Sequence, residues 1–133
     1  MNVTSAVLVA EALARIENLE PEEVLEAVTS GQSLLLDLRE KEELDINGSF
    51  PDAIHIPRGV LEFAVDPGHP AFFSGVTPDQ SIILACASGA RSALATETLQ
   101  ALGFHKVANL RGGFKAWVEQ GLPIDRPGHS QES

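Results

Sequence analysis

The apolar positions of this chain fall into short runs separated by stretches with helical spacing. Ser33 to Leu38 and Ser81 to Ala85 are apolar without alternation, as strands covered on both faces are. Ala53 to Ile56 and Val107 to Leu110 are shorter strands, and Arg15 to Leu19 is a further short strand candidate. Thr4 or Ser5 can cap a helix running through Ala14. A second helix has Pro21 at its first position, with Glu22 and Glu23 meeting the positive end of its dipole. Leu19 and Val24 are spaced as a hydrophobic staple for it, and Gly31 is placed to end it. Glu40 to Asp45 reads as a short exposed helix and Val60 to Val65 as a helical turn. Arg91 to Leu102 is helical, with Ala95, Leu99 and Leu102 along one face and Gly103 as its cap. Gly112-Gly113 turns the chain into a last helix carrying Phe114, Trp117 and Val118, closed by Gly121 and Pro123. Between Asp66 and Asp79 lies a loop whose Phe72-Phe73 are expected to pack over an edge of the core. Strands alternating with helices predict an α/β fold, a mostly parallel sheet with helices on both faces.

Composition narrows the picture. A chain of 133 residues is one domain. Residues 1–14 are read as a helical extension, 15–123 as the domain and 124–133 as a polar, mobile tail. Nine Lys and Arg stand against 19 Asp and Glu, a net charge of -10 that argues against nucleic acid or an anionic membrane as partner. No stretch is apolar for long enough to span a bilayer. One cysteine cannot close an internal disulfide, and the cytoplasm is the expected compartment.

That cysteine carries the chemistry. Cys86 ends the Ser81 to Ala85 run, and Ala87-Ser88-Gly89-Ala90 leads at once into the helix opened by Arg91-Ser92. The first N–H groups of a helix lack partners within it, and its start carries partial positive charge. Small residues let those amides approach a bound group, and glycine allows the backbone angles this needs. Such a setting favours an anion and makes the thiolate, the reactive form of a cysteine, available. In a parallel sheet Asp37, Arg58 and Cys86 all fall near the carboxyl edge, where ligands bind.

These residues resemble the rhodanese-like sulfurtransferases. The resemblance rests on Leu35-Leu36-Asp37-Leu38-Arg39, Ala53-Ile54-His55-Ile56-Pro57, the C-x-x-G-x-R-S loop from Cys86 to Ser92, and Leu110-Arg111-Gly112-Gly113 ahead of Trp117 and Gly121-Leu122-Pro123. It covers Leu19 to Pro123 in the family's order. It implies a single rhodanese-like domain with a five-stranded parallel sheet, and Cys86 as a nucleophile that carries a persulfide. Ala87, Ser88, Gly89, Ala90, Arg91 and Ser92 would form the substrate-binding loop, with Arg58 at its mouth. The donor would be thiosulfate or a persulfide, a protein persulfide included. The acceptor would be a thiol or cyanide, with no cofactor and no metal. Two departures stand out. Asn47-Gly48-Ser49-Phe50-Pro51 occupies the place where many members have Gly-His, and Ala87 replaces the basic residue that often follows the cysteine in members favouring thiosulfate.

Rival readings keep the thiolate or discard it. A cysteine-dependent phosphatase or arsenate reductase also cradles a thiolate in amides, but the common phosphatase signature has arginine six places after the cysteine, where this chain has Ser92. A non-catalytic binding or regulatory module of the same fold would not need Cys86. Arg91 is read either as a contact for an anionic donor or as the ion-pair partner of a carboxylate such as Asp37. Asp37 and Arg39 are read as structural, His55 as a hydrogen-bonded core histidine, and Glu40 to Asp45 as a solvated face.

Overall fold

The computed structural model describes residues 2–126. Its sheet has five strands, β1 (Asn18–Leu19), β2 (Leu34–Asp37), β3 (Ile54–His55), β4 (Ile82–Ala85) and β5 (Val107–Leu110), in the order β1-β5-β4-β2-β3. Every pairing is parallel. Their carboxyl ends therefore share one edge, and the register sets Asp37 of β2 opposite Ala85 of β4.

Among the described residues, six helices connect and cover the strands. They are α1 (Ser5–Arg15), α2 (Pro21–Thr29), α3 (Lys41–Asn47), α4 (Leu61–Ala64), α5 (Ala90–Ala101) and α6 (Gly113–Glu119), with a 3-10 turn at Arg58–Val60 running into α4. Thr4 caps α1, its Oγ1 accepting the Val7 N–H at 3.2 Å. Helix α1 takes in Arg15, so β1 is shorter than the Arg15 to Leu19 run expected for it. Pro21 opens α2 as expected, and a Glu23 carboxylate oxygen accepts the Glu20 N–H at 2.9 Å.

The unbroken apolar runs divide by alternate residues between two cores, as side chains on a pleated strand must. Leu36, Leu38, Ile82, Leu84 and Val107 pack on one face with Ala95 and Leu99 of α5 and Leu61 of α4. Leu35, Ile83, Ala85 and Leu110 pack on the other with Val24 of α2 and Phe114 and Trp117 of α6. Helix α1 packs outside α5, and Arg15 holds Glu97 of α5 at 2.6 Å.

Two expectations fail. In the loop after α4, Val76 is the residue sealed in the core, while Phe73 is 58% exposed. The Ser74 hydroxyl bonds the Ala64 carbonyl at 2.9 Å and draws the chain inward one step past the aromatic pair. At the other end, Asp125 is not loose: its backbone N–H and C=O pair with Ser49 at 2.8 and 2.9 Å. The remainder of the expected mobile tail, 127–133, lies outside the described residues. Among the described residues, no helix is long and apolar enough to cross a membrane.

Candidate active site

Cys86 follows the last residue of β4, and the chain turns there into α5. Its Sγ accepts the Gly89 N–H at 3.1 Å and the Ser92 N–H at 3.4 Å, and the Ser92 hydroxyl oxygen also lies at 3.4 Å. Both donors are free because they belong to the cap and first turn of α5. The turn needs glycine at position 89. Its φ is +96°, and a Cβ there would sit 3.3 Å from the Gly112 nitrogen. The cysteine itself is 1% exposed.

Helix α6 grips the same loop from the other side. Phe114 N–H donates to the Cys86 carbonyl at 2.8 Å and Lys115 N–H to the Ala87 carbonyl at 3.0 Å. This docking is close enough that a Cβ on Gly113 would come within 2.5 Å of the Cys86 carbonyl oxygen. The Gly112-Gly113 turn is thus a contact surface for the cysteine loop as well as a change of direction. A groove of about 360 Å³ opens beside Ala87, with Glu43 and Asn47 of α3 on one wall and Phe114, Lys115 and Val118 of α6 on the other.

Arg91 grips Glu43 of α3 through two hydrogen bonds of 2.8 Å. Of the two readings of Arg91, the ion pair with a carboxylate is present, but its partner is Glu43 and not Asp37, whose carboxylate is filled by Arg39. This pair also corrects the reading of Glu40 to Asp45 as only a solvated face. The bonds from Arg91 push the Glu43 carboxyl down to about 2, against an upward push from burial. Arg91 is raised in turn, chiefly by Glu43, with the neighbouring Cys86 adding to the rise.

Asp37 and Arg39 are structural as read. They bond at 2.8 and 3.0 Å, and Arg39 also donates to the Gly48 carbonyl at 3.1 Å and lies 4.1 Å over the Phe114 ring. His55 makes the expected hydrogen bond, to the Arg39 carbonyl at 2.7 Å, but is half-buried at the sheet edge and not in the core. Arg58 does not join the cysteine loop. It pairs with Glu62 at 3.0 Å and reaches Thr98 at 3.4 Å, about 12 Å along α5 from the start of that helix. Of the loop residues, Ser88 is exposed, Ala87 and Ala90 are half-buried, and Gly89 and Ser92 are buried beside the sulfur.

Sequence reasoning missed Glu43 and Asn109. Asn109 sits in β5, where its Oδ1 accepts the Ser92 hydroxyl at 2.5 Å. A lone amide inside the apolar run Val107-Ala108-Asn109-Leu110 was the available signal, because a buried polar side chain needs a partner.

A parallel α/β sheet with a cysteine loop at its carboxyl edge defines the class of fold. The chain belongs to the family of rhodanese-like domains, whose model matches residues 20–120. A sulfurtransferase of Allochromatium vinosum is 37% identical over 94 residues, covering 71% of this chain and 79% of that protein. Other relatives are matched over less of their length, 37%, 56% and 65% for three of them. A Rhodopseudomonas palustris protein of unknown function, described as a possible tyrosine phosphatase, superposes with a TM-score of 0.84 at 33% identity, over 94% of this chain and 96% of that one. The polysulfide-sulfur transferase homodimer of Wolinella succinogenes superposes with a TM-score of 0.75 at 31% identity, over 92% and 87%.

Proposed function

We propose that this chain is a sulfurtransferase that carries sulfane sulfur as a persulfide on Cys86, working in the cytoplasm where a single thiol stays reduced. The observation that carries the reading is the pair of amides, Gly89 and Ser92, aimed at Sγ at the start of α5. The sulfurtransferase relatives support it.

The Cys86 thiolate attacks the outer sulfur of the donor, thiosulfate or a persulfide. A new S–S bond forms as the donor's S–S bond breaks, and sulfite or the donor thiolate leaves with the electron pair. A thiolate acceptor (or cyanide) then attacks the terminal sulfur. The Cys86–S bond breaks and the pair returns to Cys86 as thiolate. The loop amides hold negative charge at each stage, and Arg91 supplies a cation beside the sulfur for an anionic donor.

Phosphate-ester hydrolysis is the rival raised by the Rhodopseudomonas palustris description. Its guanidinium would belong at position 92, where Ser92 is buried and bonded to Asn109. Intact-mass measurement separates the readings. After incubation with thiosulfate, or with a low-molecular-weight persulfide, the protein should gain the mass of one sulfur atom and lose it on adding a thiol. Cys86→Ser should gain nothing and turn over neither donor. Turnover by folded Cys86→Ser, or phosphatase activity without sulfur loading, would overturn the proposal.

A further inference from the structure

Behind the cysteine loop runs a line of polar groups with a fixed direction. Asn18 Nδ2 donates to the backbone carbonyls of Leu13 at 2.9 Å and Ile16 at 3.4 Å. Carbonyls only accept, so the amide NH₂ of Asn18 must face them and its Oδ1 must face away. That Oδ1 accepts Asn109 Nδ2 at 3.0 Å. Asn109 is therefore oriented as well, with its own Oδ1 toward Ser92. The Ser92 oxygen lies 2.5 Å from it. Since that oxygen too can only accept, the single hydroxyl proton of Ser92 goes to Asn109. Ser92 and Asn109 are both 0% exposed, which leaves solvent no place between them, while Asn18 at the far end is half-buried.

Sγ of Cys86 lies 3.4 Å from the same hydroxyl and so meets a lone pair rather than a proton. We infer that Asn109 is a positioning residue that withholds the Ser92 hydroxyl from the Cys86 thiolate, leaving the sulfur to the amides of Gly89 and Ser92 with the Arg91 guanidinium beside it. Its consequence for rate rests on Cys86 being the nucleophile, as proposed above. A thiolate held by fewer donors is less stabilised and attacks faster for each ion present.

The orientation can be read without turnover, from the far-ultraviolet absorbance of the thiolate at one neutral pH. Ser92→Ala should leave the thiolate fraction equal or higher, because no O–H donor to sulfur is lost. Asn109→Leu removes the acceptor, and Asn18→Leu frees the Asn109 amide to turn over. Each lets the Ser92 hydroxyl swing onto sulfur. The thiolate-to-thiol ratio should rise by about threefold to tenfold, with a slower alkylation rate per thiolate. A fall in thiolate for Ser92→Ala would show that the hydroxyl already donates to sulfur and would overturn the inference. So would an unchanged ratio in folded Asn109→Leu and Asn18→Leu. Ser92→Ala is the smallest change and decides the matter if the other two do not fold. Failure of sulfur loading would strike the proposed function and leave these absorbances as they are.

Discussion

Arg39 and Arg91 each hold a carboxylate through two hydrogen bonds near the same edge of the sheet, yet they occupy different worlds. Both side chains of the Arg39–Asp37 pair are 1% exposed, whereas Arg91 and Glu43 are 38% and 29% exposed. Arg39 has its remaining reach taken by the Gly48 carbonyl and the Phe114 ring. Nothing from solvent can replace either partner, so the sealed pair is scaffold. Water reaches the rim pair, and a doubly charged donor could compete with Glu43 for the Arg91 guanidinium. Under the proposed function the same two side-chain types would serve as a fixed strut in one place and an exchangeable contact in the other, with burial deciding which.

The largest test of that contrast is Arg39→Met. It strands Asp37 in a dry site, and losing one partner of a buried pair costs about 3–5 kcal/mol. For a domain of this size that is a fall of roughly 10–20 °C in melting temperature. A fall of only a degree or two would mean that Asp37 is not sealed. Arg91→Ala should act the other way. An exposed pair contributes at most about 1 kcal/mol, so thermal stability should hardly move. Turnover of thiosulfate should drop about tenfold, the worth of one charge-assisted contact, and that of a neutral persulfide much less. Equal losses with both donors, together with a marked drop in melting temperature, would make Arg91 a strut like Arg39.

The smallest effect is on pH. Glu43 is depressed from 4.5 to about 2, so its contribution to stability is complete above the ordinary value and fades as pH falls through the lower one. The melting-temperature gap between wild type and Glu43→Gln should be constant above about pH 5 and should close toward about pH 2. A gap independent of pH would mean that the Arg91 bond does not hold the carboxylate in its charged form.

The contrast between the arginines also marks what was legible in the chain. Local patterns carried far: apolar runs named four of the five strands, and a thiol at the end of one of them named the candidate site. Partners distant in sequence did not show. Arg91 had several acidic candidates, and only the folded path of α3 brings Glu43, 48 positions away, against it. Arg58 looked like an active-site cation because it follows a strand end, but the 3-10 turn directs it along α4 to Glu62. Phe73 looked like a cover for an edge of the core, and the Ser74 bond that turns the chain past it carries no hydrophobic signal. Asn109 was visible as an oddity and became interpretable only with Ser92 and Asn18 on either side of it.

The line through Asn109 also bears on where this domain can be said to begin. The stretch that matches the family starts at residue 20, after Asn18 and after the Leu13 and Ile16 carbonyls. A fragment trimmed to that boundary would keep every atom of the Cys86 loop and lose the anchor that gives the buried amides their direction. Homology draws the module's edge at residue 20, while the proton arrangement beside its sulfur is dictated from the far side of that edge.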